Sequence, residues 1–69
     1  MNQTFGMRLQ ARRRRTIIPE TGRHMTQSEL ASILRVSIST VQHYEHDMRL
    51  PLNAIKENIL TLWPDFFLT

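Results

Sequence analysis

The sequence predicts an all-α protein, a bundle of four to five short helices forming one domain over residues 1–69. Three observations predict it. Apolar residues recur at three- and four-residue steps in several separate stretches. Helix-start signals precede those stretches, the clearest being Thr26 followed by Glu29. Proline, glycine and turn residues then interrupt the chain around Pro19–Gly22, Asp47–Pro51 and Pro64. No strand pattern and no internal repeat stands out, and the only biased run is the arginine cluster. A chain this short buries only ~60% of the surface its unfolded form exposes, so its margin of stability is thin. It has no cysteine, so neither a disulfide nor a thiolate metal site can staple it.

Phe5, Leu9 and the aliphatic stem of Arg12 lie at helical spacing behind Thr4, which predicts a first helix at about residues 4–15 with Thr4 as its N-cap. TIIPETGRH then reads as a loop, mobile in preference to docked, although its Arg23 and the preceding Arg14 and Arg15 offer cations to a polyanion. Ile17 and Ile18 fit poorly in water and either fold back on the domain or meet a partner. Thr26 and Glu29 form a capping box, with Leu30, Ala31, Ile33 and Leu34 on one face of a second helix at about 27–34. Arg35-Val36 makes the turn. Ser37 caps a third helix at about 38–45, with Val41 and Tyr44 facing inward and Ile38 at its rim. Leu52, Ile55, Ile59 and Leu62 form the stripe of a fourth helix, which Pro64 closes. Met7, Met25 and Met48 read as core filler or loop residues.

Charge is unevenly distributed. Residues 1–26 hold six arginines (Arg8, Arg12, Arg13, Arg14, Arg15, Arg23) against Glu20, a net of +5. Residues 27–69 hold Arg35, Arg49 and Lys56 against five acids, a net of −2. A basic cluster favours a polyanion through Coulomb attraction and counterion release, although such runs also serve as solvated helix ends. The apolar runs are short and broken by charge, and the N-terminal stretch lacks a signal-peptide core, so no membrane span is expected and a cytoplasmic location is.

The stretch 26–51, TQSELASILRVSISTVQHYEHDMRLP, is the most informative part of the chain. Two short helices joined by a tight turn, the second with a polar outer edge, can lay that edge into a major groove while the back stays anchored. Val41 and Tyr44 are the anchors, against Leu30, Ala31 and Leu34, and Ala31 is small because two backbones cross there. Ile38, Ser39, Thr40, Gln42 and His43 remain outside. Gln42 can donate and accept at once, as an adenine edge requires. His43 can donate to guanine, and Ile38 can touch a thymine methyl.

The pattern T-Q-x-E-L-A-x-x-L-x-V-S-x-x-T-V-x-x-Y-E-x-x-x-R-x-P over Thr26 to Pro51 resembles the Cro and lambda-repressor (XRE-type) helix-turn-helix family. FGMRLQARR, residues 5–13, is similar to that family's first helix. The resemblance implies a helix-turn-helix core at about 26–45. It implies base-edge roles for Ile38, Ser39, Gln42 and His43, and phosphate roles for Gln27, Ser37, Thr40 and Arg49, to which Arg35, in the turn, is added as a residue that can face phosphate. It also implies a structural pair between Arg13 and Glu45. Four departures stand out. Arg35 and Asp47 occupy positions where the family usually has glycine, each costing up to ~1–2 kcal/mol if the backbone is left-handed there. The segment between the first two helices is longer by about seven residues. The final stretch 63–69 replaces a further helix, and Trp63, Phe66, Phe67 and Leu68 either seal the core or form an interface.

The expected function is that of a sequence-specific DNA-binding regulator, a small phage-type repressor acting as a homodimer on a palindromic operator in double-stranded DNA. The alternative is a protein-interaction module (an anti-repressor, a modulator of a repressor, or an antitoxin) whose partner contacts the arginine run and the C-terminal aromatics. An enzyme is disfavoured, because the chain lacks a cysteine nucleophile, a glycine-rich phosphate loop and a paired-carboxylate pocket. No cofactor is expected. His43 and His46 lie three apart but have no third metal ligand nearby.

Overall fold

A computed structural model describes residues 3–68; the end of the 63–69 segment, Thr69, lies outside the described residues. The chain runs α1 (Phe5–Arg15), β1 (Ile17–Ile18), β2 (Arg23–His24), α2 (Gln27–Leu34), α3 (Ile38–Glu45) and α4 (Asn53–Leu62). α1 packs on α3, α3 on α2, and α2 on α4, around Leu9, Met25, Leu30, Leu34, Val41 and Ile59, all essentially without solvent contact.

α1 begins where Thr4 accepts the Met7 N–H, and its four terminal arginines complement the negative end of the helix dipole. Phe5, Leu9 and Arg13 recur every fourth residue and face inward. Gly6 is needed for close approach. A Cβ there would lie 2.4 Å from the Tyr44 carbonyl oxygen and 2.7 Å from that of Glu45, so α1 can rest on the end of α3 only without one.

The expected loop after α1 is a β-hairpin, and an expectation of helices alone is corrected here. Ile17 pairs with His24 and Ile18 with Arg23. Gly22 (φ 68°) turns the chain in the left-handed region, donating its N–H to the Ile18 carbonyl at 2.8 Å. The Met25 N–H continues the ladder to the Thr16 carbonyl at 2.8 Å. Strands of two residues carry no alternation to read; the hairpin exists because its ends are tied down. Ile18 packs against the core, Ile17 stays outside, and Met25 is the one methionine of the three considered above that is buried.

α2 opens with the complete Thr26–Glu29 capping box. It ends at Arg35, which is left-handed (φ 61°, ψ 44°). The Val36 N–H reaches the Ala31 carbonyl at 3.0 Å and the Arg35 N–H the Ser32 carbonyl at 3.2 Å, the paired bonds of a Schellman ending. Those bonds, with Val36 tucked against the core, offset the strain of a non-glycine residue. α3 ends the same way. Asp47 has φ 59°, with Met48 N–H to His43 at 2.8 Å and Asp47 N–H to Tyr44 at 3.1 Å.

Two positions assigned inward by periodicity face solvent. Ile33 lies on the flank of α2 beside α4, and Leu52 is the N-cap of α4, 77% exposed, before the helical repeat has begun. Ile55, Ile59 and Leu62 do face the core, and the Asn58 amide fastens α4 to the Leu34 carbonyl at 3.2 Å.

After α4 the chain turns back over α1. Trp63 and Phe66 are buried and stacked with centroids 5.8 Å apart, and Phe66 meets Phe5 edge-on at 6.0 Å. Arg8 lies over the Phe66 ring at 4.9 Å and donates to its carbonyl oxygen. Arg12 forms a two-pronged pair with Asp65 at 3.0 and 2.8 Å. Of the four side chains assigned to a candidate interface, Trp63 and Phe66 are core, because they close over apolar surface that α1 presents at Phe5 and the stems of Arg8 and Arg12. Phe67 lies at the rim, with Leu68 82% exposed.

Candidate nucleic-acid interface

α3 has two faces. Val41, Tyr44 and Glu45 are buried, and opposite them Ile38, Ser39 and Gln42 are exposed, with His43 half-buried beside them. These last four fall at i, i+1, i+4 and i+5, one stripe along the rod. Ser37 caps the helix by accepting the Thr40 N–H at 3.1 Å, and the two hydroxyls lie 2.8 Å apart. The helix start is therefore fixed before any ligand arrives.

The back of α3 is locked by a buried ion pair. Arg13 Nε donates to Glu45 Oε2 at 2.6 Å, Arg13 Nη2 to Oε1 at 3.2 Å, and Arg13 Nη1 to the Met25 carbonyl at 3.1 Å. The Glu45 side chain is fully buried and that of Arg13 nearly so. The low dielectric there makes each partner dependent on the other, since an unpaired buried charge is costly. One arginine thereby joins α1, the end of the hairpin and α3.

The same network reaches the outer face. Gln27 Nε2 donates to Glu45 Oε1 at 3.0 Å, and Gln42 Nε2 donates to Gln27 Oε1 at 3.4 Å. Gln27 is half-buried at the start of α2. The exposed amide of Gln42 thus rests on that of Gln27, and a glutamine amide can donate and accept at once. The contact between the two glutamines was not foreseen; fifteen residues separate them, and nothing local signals it.

Asp47 was also missed as a working residue. Its carboxylate accepts the Thr4 hydroxyl and, at 2.9 Å, the Gly6 N–H, so it caps the start of α1 from the end of α3. These two donors hold its pKa below the ordinary carboxylate value. The only hint in the sequence was an aspartate where a left-handed residue was needed.

The other cations do not converge on one point. Arg35 is exposed at the turn between α2 and α3, and Arg49 is exposed on the segment after α3. Arg8 and Arg12 face the C-terminal aromatics, with Arg12 held by Asp65, and Arg15 lies near enough to Asp65 to help depress its pKa. Arg14, at the end of α1, and Arg23 and His24, on β2, are exposed.

Among the described residues no helix is long and apolar enough to cross a membrane. No protein-family model, curated protein or solved structure matches this chain.

Proposed function

We propose that this chain is a sequence-specific double-stranded-DNA-binding regulator of the Cro and lambda-repressor type, with α2, the 35–37 turn and α3 as its helix-turn-helix. The observation that carries the reading is Gln42. It is exposed on a helix whose back is fully packed, and its amide is aimed by Gln27, which is itself aimed by a buried ion pair. A solvated surface glutamine needs no such support; a side chain that reads a base edge does, because discrimination requires a fixed donor and acceptor. Ile38, Ser39 and His43 flank it as further base contacts. Ser37, Thr40, Arg35 and Arg49 surround them as phosphate contacts, and Gln27 has a second role through Gln42.

One helix spans only four or five base pairs, so the reading includes a homodimer on a palindromic operator with half-sites ~34 Å apart. Repression then follows from overlap with a promoter. Selection of bound duplexes from a random pool tests this, with a palindromic consensus as the expected result. Gln42→Ala should lose ~1–3 kcal/mol of discrimination at one base pair. Arg49→Ala should weaken specific and random duplexes alike and reduce the salt slope by about one. Equal losses on both duplexes for Gln42→Ala would remove Gln42 from the reading role.

A second reading, a protein-interaction module, is favoured by a different feature. Met48, Leu50 and Leu52 are 70%, 74% and 77% exposed on the segment joining α3 to α4. Three large apolar side chains in solvent at alternate positions suit a protein surface. Co-purification with a larger repressor, with no band shift by the chain alone, would support that reading over the first.

A further inference from the structure

We infer that the β1–β2 hairpin and the end of α1 form a second contact with the duplex, in which Arg14, Arg23 and His24 grip backbone phosphates beside the groove entered by α3. The inference rests on the DNA-binding reading above and adds a surface to it.

The hairpin is held in register with the reading helix. Met25 ends it, and its N–H is bonded to Thr16 at the end of α1. The Met25 carbonyl accepts from Arg13, which binds Glu45; Glu45 accepts from Gln27, and Gln27 accepts from Gln42. An unbroken hydrogen-bonded path thus runs from the hairpin to the residue that reads the base edge. Arg23 and His24 precede Met25 directly, so they lie at the border of this path. Arg23 and His24 also line a shallow recess with Thr26 and Glu29 at the start of α2. The surface therefore continues from the hairpin on to α2, whose first residue, Gln27, touches Gln42.

Charge completes the case. Arg14 and Arg23 are exposed and have no ion-pair partner among the described residues, in contrast to Arg12 and Arg13. A folded hairpin also changes the energetics. A mobile loop would lose backbone entropy on docking, whereas the backbone that carries these cations is already folded, so more of their attraction to phosphate is realised as affinity. Two carboxylates oppose these cations: Glu20, which lies on the hairpin turn rather than on β2, and Glu29, which shares the recess but is held by the capping box with Thr26.

The test uses the full chain and a selected operator duplex, with binding titrated between 50 and 200 mM salt. If Arg14 and Arg23 each hold a phosphate, Arg14→Ala and Arg23→Ala should each reduce the slope of log K against log salt by about 0.9. Base preference should stay as in the parent chain, and backbone protection should shrink at the flank of the footprint. Arg23→Lys should retain most of the slope, which separates loss of charge from loss of folding, and circular dichroism checks the helices of each variant. Unchanged slopes in both alanine variants, with Arg49→Ala still losing one, would overturn the hairpin contact and leave the reading by α3 intact. Failure of the parent chain to bind any duplex would overturn both.

Discussion

Asp47 shows how one side chain can resolve two local conflicts. It occupies a left-handed position that would strain most residues, and aspartate tolerates that region better than most. From there its carboxylate reaches back to the Thr4 hydroxyl and the Gly6 N–H, donors that the first turn of α1 would otherwise leave to water. Both donors favour the ionised form, so the folded-state pKa lies below the unfolded value of about 3.9. A depressed pKa contributes stability that is present above the unfolded value and lost as pH falls through the folded one. Asp65 has a lowered pKa for a similar reason, its hydrogen bonds from Arg12. The contribution of these two carboxylates should therefore be lost as pH falls below about 4. Asp47→Asn, which keeps the backbone preference but not the charge, should be less stable at pH 7 and lose less on acidification. Thermal melts from pH 7 to pH 2.5 would measure it; an acid limb identical to that of the parent would show that the Asp47 contacts do not persist in solution.

The elements are joined by a few long-range polar contacts as well as by packing. α2 and α3 each have only eight residues, too short to persist alone in water, so tertiary contacts hold them. The Arg13–Glu45 pair connects α1, the hairpin and α3 through side chains that are almost wholly buried. Glu45→Ala leaves the guanidinium buried without its carboxylate and should cost about 3–5 kcal/mol, measured by urea unfolding. Replacing both partners with apolar residues, Arg13→Met with Glu45→Leu, should recover part of that loss because no unpaired charge remains. A cost within 0.5 kcal/mol for Glu45→Ala would mean that water already solvates the pair.

Over the whole molecule, the C-terminal turn decides whether there is one core or a half-covered one. Phe66 is 2% exposed and touches Phe5, Trp63 and Phe67, while Arg8 and Arg12 close over it from α1. A domain of this size has a total stability of roughly 3–10 kcal/mol at ~0.05–0.15 kcal/mol per residue. Phe66→Ala should remove about 3–5 kcal/mol, enough to unfold much of the population near 37 °C. Leu68→Ala, at a position 82% exposed, should change stability by no more than ~0.5 kcal/mol. Calorimetry of the two variants would separate a sealing role for this segment from an interface role.

What the sequence determined by itself is the set of four helices, the N-caps of the first three and most of their inward faces. Thr4, Thr26 and Ser37 cap helices within three residues of their own positions, and the Leu30–Leu34 and Val41–Tyr44 pairs repeat within one turn. Such signals are local, so they can be read from a window of a few residues. Periodicity misled at the edges, at Ile33 and Leu52, because it gives a direction around a helix but not where the neighbouring helix ends. Only the tertiary structure decided the hairpin, the burial of Trp63 and Phe66, the reach of Asp47 and the aiming of Gln42 by Gln27. Each depends on partners brought together by the fold: Asp47 bonds a residue 43 positions away, and Arg8 one 58 positions away. Two-residue strands and single hydrogen bonds leave no repeating pattern in the chain. Their energy comes from burial and geometry that exist only once the helices have packed.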